Sequence, residues 1–473
     1  MEPYDRSNVT CGILHFGVGR FHRAHEALYV DEILQKGDMR WGICGVFMLP
    51  SDSFIYEKMV EQSGVYTLIE RDLSGVRVKS VRSIVELLNG HLNPASVFLK
   101  LSNPEIKIVT FTVTEAGYFF DPSSKRLDMT HPCIQHDLAS PDTPKTLFGY
   151  LAKGLHSRRA LGIKPFTVQS CDNIQGNGDM VRSLLLEYCS HAYPGLEEWI
   201  SSQVTFPNSM VDRITPGPTA VEAEYVSNEL HSNDAVPVTS ESYRQWVIED
   251  KYCNDRPDWS SVGVQLVQSV KPYEKVKVRL LNAGHSALGY AGHLAGFCRI
   301  DEVASNETFR TYLMAFFRDV SRTLTPPEDV DLDAYQRALV QRFANPAIED
   351  QVLRICKDGS AKLPGFILPT LRELLEASAP CSCVTFVLAA YMTFVVKASL
   401  AGDSVTCLDD PEREKLVMLA RSCDGSASAF FNESSIFGDL GGNAALMQAV
   451  QSMHDDISQH GVIDAIKNCC ISG

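Results

Sequence analysis

The sequence predicts two domains, the first α/β and the second mainly α-helical, and three observations carry that expectation. The chain has 473 residues, about twice a typical domain, so two domains with a cleft between them are expected. Over residues 1–270 short apolar runs alternate with helical patterns, the arrangement that builds a mostly parallel sheet. From about Pro272 onward the strand signals fade and helical periodicity takes over, so the boundary is set at 1–270 and 271–473.

The elements follow in order. Residues 11–16 (CGILHF) form an apolar run that enters Gly17-Val18-Gly19. A helical pattern covers 22–35 and stops at Lys36-Gly37-Asp38. Residues 41–47 are a second strand candidate. Residues 106–113 (IKIVTFTV) are a third, closing on Thr114-Glu115-Ala116-Gly117. Residues 165–170 are a fourth, closing on Cys171-Asp172-Asn173, and 178–200 read as helix and connector. Pro272 suits the first residue of a helix. Helical periodicity then recurs at 277–297, 303–323, 332–343, 368–377, 384–399, 411–421 and 443–459. The most apolar run, 383–396, is stopped by Lys397. As a helix it spans about 21 Å, short of a roughly 30 Å bilayer core, so it is expected to be a core helix of the second domain.

Composition narrows the partners. Hydrophobic residues are 45% and charged residues 21%, as in a soluble globular protein. The formal net charge of −15 argues against nucleic acid and anionic membrane, while a small neutral substrate and a locally positive cofactor pocket remain compatible. The 14 cysteines include no Cys-x-x-Cys; Cys381 and Cys383 are too close for a usual zinc knuckle, and Cys469-Cys470 is a vicinal pair. This pattern fits buried free thiols in a reducing compartment, with no metal site. The opening Met-Glu-Pro-Tyr-Asp-Arg is polar, so no signal peptide is expected and the cytoplasm is the expected location. No coiled coil stands out, which leaves a monomer or weak oligomer.

A strand, Gly17-x-Gly19 and then a helix make the phosphate turn of a dinucleotide fold. The first glycine permits the tight turn and the second lets backbone approach the pyrophosphate. His22 stands where the third glycine of the usual fingerprint falls, so the motif by itself does not distinguish a cofactor turn from a plain glycine turn. Arg20 and Arg23 add positive charge. An acidic residue should follow the second strand to bind the ribose hydroxyls. Asp52 is the candidate, although it lies beyond the usual spacing and could instead cap a helix over 53–59. A carboxylate there repels a 2′-phosphate, which favours NAD over NADP. His22 and His25, spaced His-x-x-His, lack further assignable ligands and are read as polar packing beside the turn.

The stretch 277–285 (KVRLLNAGH) is the most informative of the chain. On a straight helix Glu274, Lys277, Asn282 and His285 fall within an arc of about 140°. One face therefore offers a proton carrier, an amide, an imidazole and a carboxylate. The plain alternative is a solvated stripe on an amphipathic helix.

Five ordered blocks over some 275 residues resemble a known family, the polyol-specific long-chain dehydrogenases or mannitol 2-dehydrogenase family. They are the blocks 17–25 (GVGRFHRAH), 112–118 (TVTEAGY), 170–178 (SCDNIQGNG), 206–213 (FPNSMVDR) and 277–292. The resemblance implies a Rossmann-type N-terminal domain, a helical C-terminal domain and metal-independent hydride transfer between NAD(P) and a polyol or ketose. Lys277 resembles the catalytic base, and Asn173 and Asn282 the amides that hold the reacting oxygen. His285 resembles a substrate-hydroxyl ligand, Glu274 a proton-channel carboxylate, and Asp212, Arg354 and Lys362 substrate-binding positions. Gly17, Gly19, Phe21, Arg23, Asp52 and Glu115 resemble the cofactor site. Arg20 departs from a usually smaller residue, and Ser51 stands where a further acid is sometimes found, which makes the NAD preference less firm.

The chemistry these residues can perform is oxidation of a secondary alcohol, and the resemblance implies D-mannitol with NAD giving D-fructose and NADH. Lys277 can take the hydroxyl proton only if its pKa falls from about 10.4 toward 7–8, as burial would cause. Four other readings compete. Tyr273-x-x-x-Lys277 fits the tyrosine base of the short-chain dehydrogenases, but those chains are about half this length. A zinc alcohol dehydrogenase is opposed by the cysteine spacing. A non-catalytic NAD-binding protein is opposed by the retained polar set. Within the family, arabinitol or a sugar acid such as fructuronate or tagaturonate could be the substrate, since Arg354 and Lys362 could hold a carboxylate; Asp212 tilts the reading toward neutral polyols.

Overall fold

A computed structural model describes residues 4–121, 124–218, 220–228, 233–400 and 408–471. It divides into two compact units, Met1–Lys271 and Pro272–Gly473.

The first unit contains eleven strands among its described residues: β1 (Cys11–Phe16), β2 (Gly42–Phe47), β3 (Tyr66–Asp72), β4 (Gly75–Val81), β5 (Ile84–Asn89), β6 (Ile108–Phe111), β7 (Thr167–Ser170), β8 (Ser209–Asp212), β9 (Val238–Glu241), β10 (Gln245–Glu249) and β11 (Gln265–Val267). Five of them form one sheet in the order β5-β2-β1-β6-β7, with every pairing parallel. Counted along the chain within that sheet, the order is 3-2-1-4-5, the winding of a Rossmann-type domain. Strands β1, β2, β6 and β7 are buried at every residue, which is why they read as continuous apolar runs rather than alternating ones. The register aligns Phe16, Phe111 and Ser170, so the carboxyl ends of β1, β6 and β7 lie side by side. Two three-stranded sheets complete the unit, ordered β4-β3-β9 and β11-β10-β8.

Several elements differ from expectation for local reasons. The pattern over 22–35 is two helices, Arg20–Ala24 and Glu26–Gln35, broken at His25, whose backbone sits at φ −118° and ψ −90°. The third candidate strand is shorter than its apolar run, Ile108–Phe111, because the amides of Val113 and Thr114 turn to the carboxylate of Asp172. Strands β3, β4 and β5 and the four after β7 are additions to the four expected. Strands β3, β4 and β5 are partly exposed (β4 over most of its length), while β8, β9 and β10 are buried but short and mix polar with apolar residues, so neither group shows the apolar runs that mark the central strands.

The second unit is helical. Helices Leu332–Phe343, Leu368–Glu376, Arg413–Ser422 and Ala444–His460 match the periodic stretches closely. The apolar run at 383–396 extends into a longer helix, Ser382–Leu400, with most of its residues buried in one continuous core. That burial identifies it as a core helix even though its length and composition would let it cross a membrane. Short helices at Val352–Cys356, Gly359–Phe366, Ala427–Phe430 and Ser434–Phe437 carry too few turns to show a period, and the last helix, Val462–Ile471, lies outside the expected stretches. Every cysteine among the described residues is a free thiol.

Candidate active site

In the first unit the polar side chains gather where the strands end. Gly17 leaves β1 at φ +88°, and a Cβ on it would lie 2.3 Å from the Thr112 carbonyl oxygen, so only glycine fits the turn. Gly19 is exposed, and the nearest heavy atom to a Cβ there is 3.9 Å away. The Gly17 carbonyl is fixed by the Thr112 hydroxyl at 2.8 Å and lies 3.1 Å from Nε2 of His15. Beneath the turn, Oε2 of Glu26 lies 2.9 Å from Nδ1 of His15 and 3.2 Å from Nδ1 of His22, all three side chains being buried. The two rings stack with centroids 3.4 Å apart and planes 17° apart. One ligand atom from each of His15, His22 and Glu26 lies within 4.8 Å of the other two, the spacing of a possible metal site as well as of a hydrogen-bonded cluster. Burial pushes the His22 imidazole down to about 4 and that of His25 to about 3, while the two neighbouring histidines hold the Glu26 carboxyl low against its burial. His25 turns away from His22 and places Nε2 2.9 Å from the Gln245 carbonyl.

The other cofactor candidates are spread along this edge. Phe21 is half-buried and stacks on His25. Arg23 is turned inward, 2% exposed, with its guanidinium on the Val236 carbonyl and over the Tyr66 ring. These contacts tie it into the structure behind the turn. Arg20 is held by both carboxylate oxygens of Glu222, at 2.7 and 3.0 Å. Asp52, half-buried, precedes the helix Ser53–Glu61 but does not cap it; its carboxylate accepts the Leu49 amide at 3.2 Å instead. Glu115 is exposed and opens a turn, Glu115–Tyr118, beyond β6.

Three of the sequence blocks are tied together by groups that sequence reasoning passed over. Asp172 is 6% exposed and accepts the amides of Val113 (3.2 Å) and Thr114 (2.8 Å) and the hydroxyl of Tyr118 (3.0 Å). Asn177 donates to the carbonyls of Asp172 (3.0 Å) and Ser209 (2.9 Å) and accepts the amides of Gly178 and Ser209. The blocks 112–118, 170–178 and 206–213 thus form one network, with Asn173 exposed beside Asp172 and Asp212 buried at the end of β8. Asp172 and Asn177 lie within a block legible in sequence, but partners up to 59 residues away leave no local signal.

In the second unit the groups lie on one helix with an irregular turn. Helix Lys271–Lys277 passes through a π-helical turn, Val278–Asn282, into Ala283–Leu294, and the Ala283 amide donates to the Val278 carbonyl. An i→i+5 turn places residues five apart nearly above one another. It therefore draws Asn282 toward the line of Lys277 and narrows the expected arc of about 140° to under about 90°. Glu274, Lys277 and Asn282 are buried at 7%, 5% and 8% exposure, which rules out a solvated stripe. His285 is half-buried, its ring 4.2 Å from that of Phe343. Leu280, Leu281, Ala287 and Leu288 fill the core on the rest of the helix. Arg279, another residue passed over, anchors the turn through Glu373 at 2.5 and 2.7 Å.

Tyr273 donates its hydroxyl to Asp329 at 2.7 Å, and burial together with that acceptor pushes it up to about 12, the wrong direction for a base. Arg354 places Nε and Nη2 on the two carboxylate oxygens of Asp350, at 2.6 and 2.5 Å. Lys362 donates to the Ile355 carbonyl at 3.1 Å, and burial lowers its pKa.

Comparison with known proteins accounts for nearly the whole chain. The mannitol dehydrogenase Rossmann domain matches residues 11–261 and the mannitol dehydrogenase C-terminal domain matches residues 269–458. A mannitol 2-dehydrogenase of Pyricularia oryzae is 38% identical over 471 residues, covering 98% of this chain and 94% of its own. One from Aspergillus fumigatus is 39% identical over 475 residues, covering 98% and 94%. Among solved structures, the Pseudomonas fluorescens mannitol 2-dehydrogenase ternary complex with NAD and D-mannitol superposes with a TM-score of 0.89 at 36% identity, covering 100% of this chain and 96% of that one. A substrate-free D-sorbitol dehydrogenase gives 0.88 at 33% identity, covering 98% and 96%. The chain is an oxidoreductase and belongs to the mannitol dehydrogenase family.

Proposed function

We propose that this protein is an NAD-dependent, metal-independent polyol dehydrogenase that interconverts D-mannitol and D-fructose with Lys277 as general base. The observation that carries the reading is the buried face of the π-turned helix, where the turn brings an amine and an amide five residues apart closer around the axis than a straight helix would. The full-length likeness to a solved mannitol 2-dehydrogenase with NAD and D-mannitol supports the substrate and the cofactor.

The turn at Gly17 and Gly19 fits a dinucleotide: the first glycine is required by its positive φ and by Thr112, and the second leaves open space for backbone approach. When bound, the nicotinamide supplies the hydride acceptor. The protein's own residues do the rest. Uncharged Lys277 takes the hydroxyl proton and becomes an ammonium as the carbon–hydrogen bond yields its hydride and the carbonyl forms. Burial favours the uncharged amine, Glu274 on the same face opposes that shift, and Glu274 is assigned the proton relay. Asn282 donates N–H to the developing alkoxide without adding charge, and Asn173 is assigned an amide role on the family resemblance. His285 is assigned a substrate hydroxyl.

A neutral polyol is favoured over a sugar acid because Asp350 already offsets the charge of Arg354 through Nε and Nη2, which weakens its pull on a second carboxylate. The test is a panel of mannitol, arabinitol, sorbitol, fructose and fructuronate with NAD or NADP, read at 340 nm with and without a chelator. The expected result is NADH formation with mannitol and NADH consumption with fructose, both unaffected by the chelator. Faster turnover of fructuronate than of fructose would overturn the substrate, and loss of activity on chelation would overturn the metal independence.

A further inference from the structure

We infer that Asp172 is a positioning residue for the proposed reaction, its buried carboxylate setting both the loop after β6 and the Asn173 amide that follows it in sequence. The inference rests on the polyol dehydrogenase reading for its purpose, and on geometry within the first unit for its substance.

Asp172 sits at the carboxyl end of β7, beside the end of β6, since Phe111 and Ser170 are register partners. In open parallel sheets this edge is where ligands bind. The side chain is 6% exposed and is surrounded by donors: the amides of Val113 and Thr114 and the hydroxyl of Tyr118. Tyr118 in turn lies 2.6 Å from the Ser170 hydroxyl, which accepts the Asp172 amide at 3.1 Å. The Asp172 carbonyl accepts from Asn177 at 3.0 Å. Both ends of the residue are thus fixed, and the residue after it inherits that orientation.

Thr114 shows what the carboxylate does to the loop. Its backbone lies at φ +60° and ψ 172°, a conformation that a threonine rarely adopts and that persists only where its surroundings impose it. The 2.8 Å bond from its amide to Asp172 is the contact that aims this peptide. Glu115, a cofactor candidate, is the next residue. One carboxylate therefore orients the entry to the Glu115 turn on one side and Asn173 on the other. Asparagine is the informative replacement: it keeps the shape and loses an acceptor, presenting an NH₂ to groups that are themselves donors. Glycine at 114 is the complementary one, because it adopts a positive φ without help.

The experiment compares wild type, Asp172→Asn, Thr114→Gly and the double variant, with Tyr118→Phe as a milder removal of one donor. Three quantities are read: kcat for mannitol oxidation, the NADH dissociation constant by fluorescence, and amide hydrogen exchange over residues 112–118. Asp172→Asn is expected to lower kcat about 100-fold, weaken NADH binding through the Glu115 turn by a clearly smaller factor, and speed exchange at Val113 and Thr114. The double variant is expected to recover at least about ten-fold of the lost kcat, since it removes the cost of Thr114. Tyr118→Phe should move kcat and exchange in the same direction by a smaller factor. Parallel losses of kcat and NADH affinity, or no recovery in the double variant, would overturn the inference. If wild type turns over no polyol, the functional reading fails instead. The exchange rates then decide Asp172 alone, and unchanged exchange at Val113 and Thr114 in Asp172→Asn would dismiss it.

Discussion

The loops at the carboxyl edge of the parallel sheet and the helix over 271–294 both carry polar side chains that are almost wholly buried, and they are positioned by different means. At the sheet edge each group is held by another side chain or by a distant backbone: Asp172 by amides 58 and 59 residues away, Asn177 by Ser209, Glu26 by two histidines. On the helix, Lys277 and Asn282 are placed relative to each other by the backbone, through a single π turn anchored by Arg279 on Glu373. The first arrangement makes a rigid frame from many hydrogen bonds, so losing one member leaves others buried without a partner. The second sets the spacing of reactive groups independently of their own side-chain contacts, so a functional group can be removed while its neighbours stay in place. The difference teaches where chemistry and scaffolding can be separated by mutation.

The sharpest way to break this contrast is Lys277→Ala. On the helix it should remove the base while leaving the frame intact, so mannitol oxidation should fall by about 10²–10⁴-fold with NADH affinity retained. Lost NADH binding in a variant with an unchanged melting temperature would place Lys277 in the cofactor frame instead.

In the frame itself the expected effect is on stability. Burial holds the folded-state pKa of His22 at about 4, below its ordinary 6.5. As pH falls the unfolded chain therefore takes up this proton first, and stability drops between 6.5 and 4 and is then flat for this group. The contribution is a few kcal/mol. Glu26, held low by its histidines, adds a loss in the same direction once pH falls below its unfolded value. His22→Asn keeps a donor for Glu26 and should flatten the slope of denaturant stability over that window; an unchanged slope would show that the cluster does not titrate on unfolding.

The smallest expected effect belongs to Asp52, which is only half-buried. Asp52→Ala should narrow the preference for NAD over NADP by several-fold, about 1 kcal/mol, the scale of a partly exposed charge. An unchanged ratio would leave it as the acceptor that shapes the turn at Leu49.

The same contrast explains what the sequence could tell. Central strands β1, β2, β6 and β7 were legible because burial on both faces writes an apolar run into the chain, and the long helices because their period survives many turns. The π turn was not, since nothing in Val-Arg-Leu-Leu-Asn distinguishes it from a straight helix; the expected arc was therefore too wide. The partners of Arg23 and Arg354 were not legible, because a cation in a motif looks the same whatever it rests on, here the Val236 carbonyl and Asp350. Asp172 was visible as a residue but not as a junction, because its meaning lies in donors brought to it by the pairing of β6 with β7.

The most direct measurement is the pH dependence of kcat/KM for mannitol oxidation in wild type and Lys277→Ala. If the buried amine takes the hydroxyl proton, the wild-type rate rises with pH through one ionisation and then levels, and the variant keeps a low rate that no longer follows that ionisation. The same rising profile in the variant, merely scaled down, would contradict the assignment of the base.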